Sequence, residues 1–314
     1  MVNTRVAIGS LELKNPVLVA SGTFGYGDDC TDLVDVNKLG GIITKSLSMN
    51  PRDGNPPVRI VETTGGMLNS IGLANIGVEM FIAQKLPALR ATKTAIVANI
   101  AASSIDEYAA VLSMLEKENG IHGYEINVSC PNVKEGGLSF GTDVQKVNEI
   151  TRRLRSLTRR TLIVKLTPNV THIAEFARAA SDGGADAVSV INTVIGMAID
   201  VKSRRPRLST TTGGLSGPAI KPIALAKVYE VAQAVTIPVV GVGGIMSTED
   251  ALEFMLAGAC AVEIGTANFI DPAAAVKIAA GIEKYCEEQK IASVADIVGK
   301  LDSSKDLSVL HSWL

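Results

Sequence analysis

Eight short runs of β-branched and other apolar residues recur along the chain, separated by longer stretches with helical spacing, and this alternation restricts the fold more than any other feature. Runs of that length, bounded by turn residues and followed by amphipathic helices, build βα units with parallel strands. The runs fall at 16–20, 41–46, 95–100, 124–129, 162–166, 187–192, 238–243 and 261–266. Helices are expected at 105–117, 143–157, 172–182, 220–234, 248–257 and 272–288. Several open at an N-cap residue and close at glycine, as from Ser247 to Gly258 and from Thr171 to Gly183. Eight such strands close most simply into a TIM barrel, a (β/α)8 fold of the α/β class, and the 314 residues read as one domain with a tail from about 300 to 314. The long connections at 47–76, 130–142 and 193–219 carry Gly, Pro and Asn rather than a second core, and are expected on the C-terminal face of the strands.

Charge and composition remove several function classes. Lys and Arg number 30 against 32 Asp and Glu, a net charge of −2, which lacks the basic excess of a phosphate-backbone reader. Arg152, Arg153, Arg155, Arg159 and Arg160 read as a solvated helix face rather than a nucleic-acid patch. No apolar run approaches the roughly 18 to 20 residues of a membrane span, and Met1 to Arg5 lacks a basic leader followed by an apolar stretch, so a soluble cytoplasmic protein is expected. Cys30, Cys130, Cys260 and Cys286 form no CxxC pair; no metal site is expected, and an iron–sulfur centre would have to sit on another subunit. His122, His172 and His311 stand away from the motifs below.

Inward and outward residues alternate along a barrel strand, so polar residues of inward phase at strand ends are informative. Asn99, Asn127, Lys165 and Asn192 each end a β-branched run. One such Asn would suffice to tie down a loop, but four polar residues on separate strands point to a shared ligand at the rim. Lys165 is the sharpest of them, because lysine is rarely buried without a charged partner or a reaction. Three readings stay open for it: a salt bridge with Glu125 or Glu263, which share its phase; a Schiff-base amine; or a fixed cation facing an electron-rich cofactor. Glu263 has no further role in this reading. Gly241-Val-Gly-Gly-Ile245 and Ile264-Gly-Thr-Ala-Asn268 follow the last two strands, where barrels commonly hold phosphate, although tight βα turns would use the same glycines. Cys130 begins a Gly-containing loop at the rim, within reach of a substrate, whereas Cys30, Cys260 and Cys286 read as packing residues.

Asn69-Ser-Ile-Gly-Leu-Ala-Asn75, Asn127-Val-Ser-Cys-Pro-Asn132, Thr212-Gly-Gly-Leu-Ser-Gly-Pro218 and Gly241-Val-Gly-Gly-Ile245 together resemble the class 1 dihydroorotate dehydrogenases. The likeness runs from about Arg5 to near Glu288. Ala20-Ser-Gly-Thr-Phe-Gly-Tyr-Gly27 and Lys45-Ser-Leu-Ser-Met-Asn-Pro-Arg52 resemble the class 1B catalytic subunit in particular.

The resemblance implies FMN in the barrel mouth and oxidation of (S)-dihydroorotate to orotate in pyrimidine (UMP) biosynthesis. It assigns Ser21, Lys45, Ser46, Asn99, Asn127, Lys165, Ile191, Gly217, Gly243, Gly244, Gly265 and Thr266 to the flavin. It assigns Lys45, Asn69, Ser70, Ile71, Gly72, Leu73, Asn127, Asn192 and Thr193 to the substrate, with Cys130 as the base and Lys165 as a catalytic cation. It also implies a partner subunit carrying FAD and a [2Fe–2S] cluster, NAD⁺ as final acceptor, and a heterotetramer built on a catalytic homodimer. The chain itself shows no strand–GxGxxG–helix, in keeping with an NAD site elsewhere. Two rival enzymes remain: a class 1A type that passes electrons to fumarate, and a flavin-free aldolase using Lys165 as its Schiff base. A non-catalytic binding barrel would leave the polar rim without a purpose. The segment from Asp302 to Leu314 matches no family pattern.

Overall fold

A computed structural model describes residues 2–29, 32–129 and 140–303; the segment from Cys130 to 139, Cys30, and the tail with His311 lie outside the described residues. Eight parallel strands form a closed barrel: β1 (Val17–Val19), β2 (Gly41–Ile43), β3 (Ala95–Ile100), β4 (Gly123–Asn127), β5 (Thr161–Leu166), β6 (Ala187–Val190), β7 (Val239–Val242) and β8 (Ala259–Ile264). Each pairs with its neighbours in chain order, and β8 returns to β1. β3 and β5 are buried along their whole length, as strands with both faces covered must be, and their Val, Ile and Leu content answers that environment.

Several strands stop short of the apolar runs that announce them. The run at 187–192 ends as a strand at Val190, 41–46 at Ile43, 238–243 at Val242, 261–266 at Ile264, and 124–129 at Asn127. The residues beyond leave the regular ladder and turn onto the rim: Ile191 N–H still donates to the Val242 carbonyl and Asn192 N–H to the Leu166 carbonyl, but without continuing the strand. The strands therefore end where polar residues and glycines such as Lys45, Asn192, Gly243 and Thr266 take over from the apolar core and turn onto the cavity wall.

The six expected helices form as α1 (Ile105–Glu116), α2 (Val144–Arg155), α3 (Ile173–Asp182), α4 (Lys221–Ala232), α5 (Thr248–Leu256) and α6 (Ala274–Glu288). Side chains cap three of them: Ser104 accepts from Glu107 N–H, Asp143 from Gln145 and Lys146 N–H, and Ser247 and Asp250 form a reciprocal capping box. Thr171 does not cap α3; His172 holds that position and makes no side-chain cap bond. An unexpected helical segment between β2 and β3 joins Gly77–Met80, a π-helical turn at Phe81–Lys85, and Leu86–Arg90, burying Val78, Phe81, Leu86 and Leu89. Pro87 falls in the first turn of Leu86–Arg90, where a missing N–H removes no hydrogen bond within that helix.

The long connections do carry a core of their own, contrary to the sequence expectation. Ile60–Thr63, Gly66–Asn69, Gly213–Ser216 and Val194–Gly196 pair antiparallel into a four-stranded sheet over a small cluster of Val61, Leu68 and Leu208. These strands are only three or four residues long, three of the four contain glycine, and the pairing of Gly66–Asn69 with Gly213–Ser216 joins segments far apart in the chain. At the opposite end, the hairpin Val6–Ile8 and Leu11–Leu13 plugs the barrel, with the Thr161 hydroxyl at the start of β5 donating to the Ile8 carbonyl. No helix among the described residues is long and apolar enough to cross a membrane.

The capping box of α5 yields a stability prediction. Ser247→Ala removes the acceptor for Asp250 N–H, and should lower the unfolding free energy by about 1 kcal/mol in urea denaturation.

Candidate active site

The barrel buries three charged side chains among the described residues, Glu125, Lys165 and Glu263, and they meet at one place. Strand register puts them there: Asn99 on β3 lies beside Glu125 on β4, and Lys165 on β5 lies between Asn127 on β4 and Ser189 on β6. Glu263 reaches in from β8, across the barrel. Lys165 Nζ stands 2.8 Å from Glu263 Oε2 and 3.4 Å from Glu125 Oε1, with 6 % of the lysine side chain exposed. Glu125 also accepts from the Ser189 hydroxyl at 2.7 Å and from the Asn99 amide at 2.5 Å.

Burial alone would lower the Lys165 pKa, but the two carboxylates outweigh it and hold the ammonium well above its ordinary value. For Glu125, burial works upward, yet Lys165 and the surrounding donors bring the carboxyl below its ordinary range. Burial and the neighbouring Glu125 push Glu263 well above it. The salt-bridge reading of Lys165 is thus realised, with both candidate partners at once. A Schiff base needs a neutral amine, and a lysine held charged by two carboxyls is a poor one.

Above this floor opens a cavity of about 540 Å³, within the size range of cofactor sites. Its lining brings together Ser21, Lys45, Ser46, Asn99, Asn127, Lys165, Ile191, Gly217, Gly243, Gly244, Gly265 and Thr266. The same cavity is lined by Asn69, Ser70, Ile71, Gly72, Leu73, Asn192 and Thr193. Cys130 lies outside the described residues.

One end of the cavity is built by backbone. Gly243 and Gly244 have φ of 127° and 77°, and a Cβ on Gly244 would stand 2.6 Å from the Lys221 backbone nitrogen where α4 begins. Only glycine lets the chain turn this close to the helix start. Thr266 joins this end, its hydroxyl bonding Ser216 at 2.9 Å beside Gly217.

The other end is built by amides. Asn192 Nδ2 donates to Asn127 Oδ1 at 3.3 Å, and Asn192 Oδ1 accepts from Thr193 N–H at 2.8 Å. Asn69, at the end of an insertion strand, donates to the Gly214 carbonyl, and the Ser70 hydroxyl accepts from Asn55 and Thr210. Leu73 adopts φ 58° on this wall, a conformation that a leucine keeps only where its surroundings enforce it. The Lys45 ammonium lies beside Gly22 at the same mouth.

Further residues line the cavity that sequence reasoning passed over: Thr167, Asn169, Thr212, Ser216, Met246 and Phe269. Asn169 bridges the Thr193 carbonyl and Ile195 N–H, fixing the segment that carries Thr193. Its signal was its position just past Lys165, behind Pro168, beyond the run read as a strand at 162–166. The cysteines read as packing residues and the histidine read as standing away from the motifs stay out of the site where they are described. Cys286 is buried on α6, burial pushes the Cys260 thiol up to about 12, and His122 Nδ1 accepts from Ile96 N–H.

The family model for dihydroorotate dehydrogenase matches residues 3–286. The chain is 55 % identical over 296 residues to the dihydroorotate dehydrogenase B (NAD(+)), catalytic subunit, of Geotalea uraniireducens, covering 94 % of this chain and 97 % of that one. It is 54 % identical over 297 residues to the protein of the same name from Trichlorobacter lovleyi, covering 95 % and 98 %. A third, from Bacteroides thetaiotaomicron, is 50 % identical over 302 residues, covering 96 % and 100 %. Among solved structures, DHODH from Eimeria tenella in complex with ferulenol superposes with a TM-score of 0.80 at 21 % identity, covering 95 % of this chain and 88 % of that one, which shows a shared fold.

The ion cluster makes Lys165 a structural residue whatever binds above it. Lys165→Met would strand two buried carboxyls without their cation and should cost about 3–5 kcal/mol in urea denaturation.

Proposed function

The chain belongs to the dihydroorotate dehydrogenase family, and from that premise we propose that it is the catalytic subunit of an NAD-linked enzyme oxidising (S)-dihydroorotate to orotate in pyrimidine biosynthesis. The observation that carries the reading is the single cavity in which a charged floor, a glycine-built end and an amide-built end converge.

FMN fits the residues present. Asn99 Oδ1 is buried at the cavity with no hydrogen-bond partner among the described residues, a cost that a ligand N–H removes. The turn at Gly243 and Gly244, with Gly217, Gly265 and Thr266, leaves room for a phosphate beside backbone. Ser21, Lys45, Ser46, Asn99, Asn127, Lys165 and Ile191 would hold the ring system. FMN, when bound, supplies the hydride acceptor for the oxidation.

Introducing the ring double bond removes a proton from C5 and a hydride from C6 of dihydroorotate. Cys130 is the proposed base for the C5 proton. Lys45 is the proposed partner of the substrate carboxylate, and the amides of Asn69, Asn127 and Asn192, which line the same cavity, would offer both donors and acceptors to the ring. Ser70 to Leu73 and Thr193 complete that wall. The charge on Lys165 stabilises electron density arriving above it.

The relatives are named catalytic subunits, which supports a separate partner subunit. Resemblance to class 1B extends this to a cytoplasmic heterotetramer around a catalytic dimer, with FAD and a [2Fe–2S] cluster on the partner. NAD(+) in the relatives' names favours this over fumarate as acceptor. The aldolase reading is disfavoured by the doubly paired Lys165.

Anaerobic addition of (S)-dihydroorotate to the FMN-loaded protein should bleach the flavin spectrum. A protein that takes up no FMN, or whose flavin stays oxidised, would contradict the proposal. In the same assay Cys130→Ser should slow bleaching by about 10²–10⁴ with dihydroorotate still bound. An unchanged rate would remove Cys130 from the mechanism.

A further inference from the structure

Two carboxyls and one ammonium are sealed in the floor of the cavity, and their charges do not balance. Glu125 and Glu263 side chains are both fully buried and both lie within ion-pair distance of Lys165, which alone would leave a net charge of −1 in the barrel. The register neighbours of Glu263 are Leu18 on β1 and Val242 on β7, both apolar. Among the described residues, the other charged groups buried with it are Glu125 from β4 and Lys165 from β5.

The two carboxyls are not served alike. Glu125 receives Asn99, Ser189 and Lys165, which together favour a carboxylate. Glu263 receives Lys165 on Oε2, and no donor reaches its buried Oε1. Both carboxyls crowd the same Nζ, at 2.8 Å and 3.4 Å, and two buried anions gathered on one cation repel each other unless one of them takes up a proton.

We propose that the two carboxyls hold one proton between them, carried by Glu263, and that Glu263 is thereby the positioning residue that keeps the floor neutral while Lys165 remains charged beneath the ligand. With the proton in place the cluster sums to zero. Lys165 then faces one full carboxylate instead of two, so its field reaches the cavity. The consequence for an electron-rich group above it rests on the FMN reading; the proton itself does not.

Infrared spectra of the full-length chain at neutral pH, in H₂O and D₂O, test this directly. A protonated-carboxyl C=O stretch that shifts on deuteration is expected in the wild type and should vanish in Glu263→Gln. Because glutamine replaces a neutral acid, FMN affinity in that variant should stay within about twofold and the flavin reduction potential should be unchanged, whereas Glu125→Gln, which misplaces donors against Asn99 and Ser189, should weaken FMN about tenfold or more. Absence of the band in the wild type, or its survival in Glu263→Gln, would overturn the proposal. Should Glu263→Gln fail to fold, the wild-type spectrum alone still decides whether the proton is present. The band is read with or without flavin, so failure to bind FMN would contradict the proposed function and leave this result standing.

Discussion

Lys165 can be buried only because Glu125 and Glu263 are brought to it, and that requirement ties the site to closure of the barrel. The lysine sits on β5, one carboxyl on the adjacent β4, and the other on β8 across the barrel. An unpaired buried charge costs several kcal/mol, comparable with a large part of a domain's net stability. An open or misregistered sheet would separate Glu263 from the other two, so the polar floor discriminates among packings that apolar residues alone would tolerate. The apolar layers supply the bulk of the stabilisation, and the ion cluster fixes which arrangement receives it.

Upon that floor the chain builds two unlike ends. Where it must bend close to the start of α4, Gly243 and Gly244 give backbone and little else. At the other end, amides from β4, the segment after β6 and the insertion sheet converge. The insertion sheet joins segments that are far apart in sequence, so Asn69 and Gly214 reach the same wall only after both have folded. The proposed chemistry uses this division: rigid backbone for an anionic tail, adaptable amides for a ring, and a fixed cation below.

Much of this was legible in the sequence because barrels obey simple periodicities. The eight strands announce themselves by apolar runs, and the parity of each strand identifies Asn99, Asn127 and Lys165 as inward. Parity also named Glu125 and Glu263 as the partners available to Lys165. It did not show that both engage at once, because two carboxyls on distant strands meet only through the closure of the sheet. The insertion sheet was illegible for a related reason: strands of three or four residues containing glycine have no period to read, and their pairing is long-range. Thr167 and Asn169 were lost to a boundary effect, since polar residues just beyond a strand look like the loop that follows. The motif resemblance supplied the rest of the site list; those among the described residues line one cavity, and Cys130 lies outside them.

A flavin and an orotate-like ring at neighbouring ends of this one cavity would sense each other, and titrating orotate into the FMN-loaded chain while following flavin absorbance reads that contact. A saturable perturbation of the flavin spectrum is expected, and it should be lost when Asn127 and Asn192 are both replaced by alanine. A flavin spectrum indifferent to orotate at every concentration would contradict that arrangement.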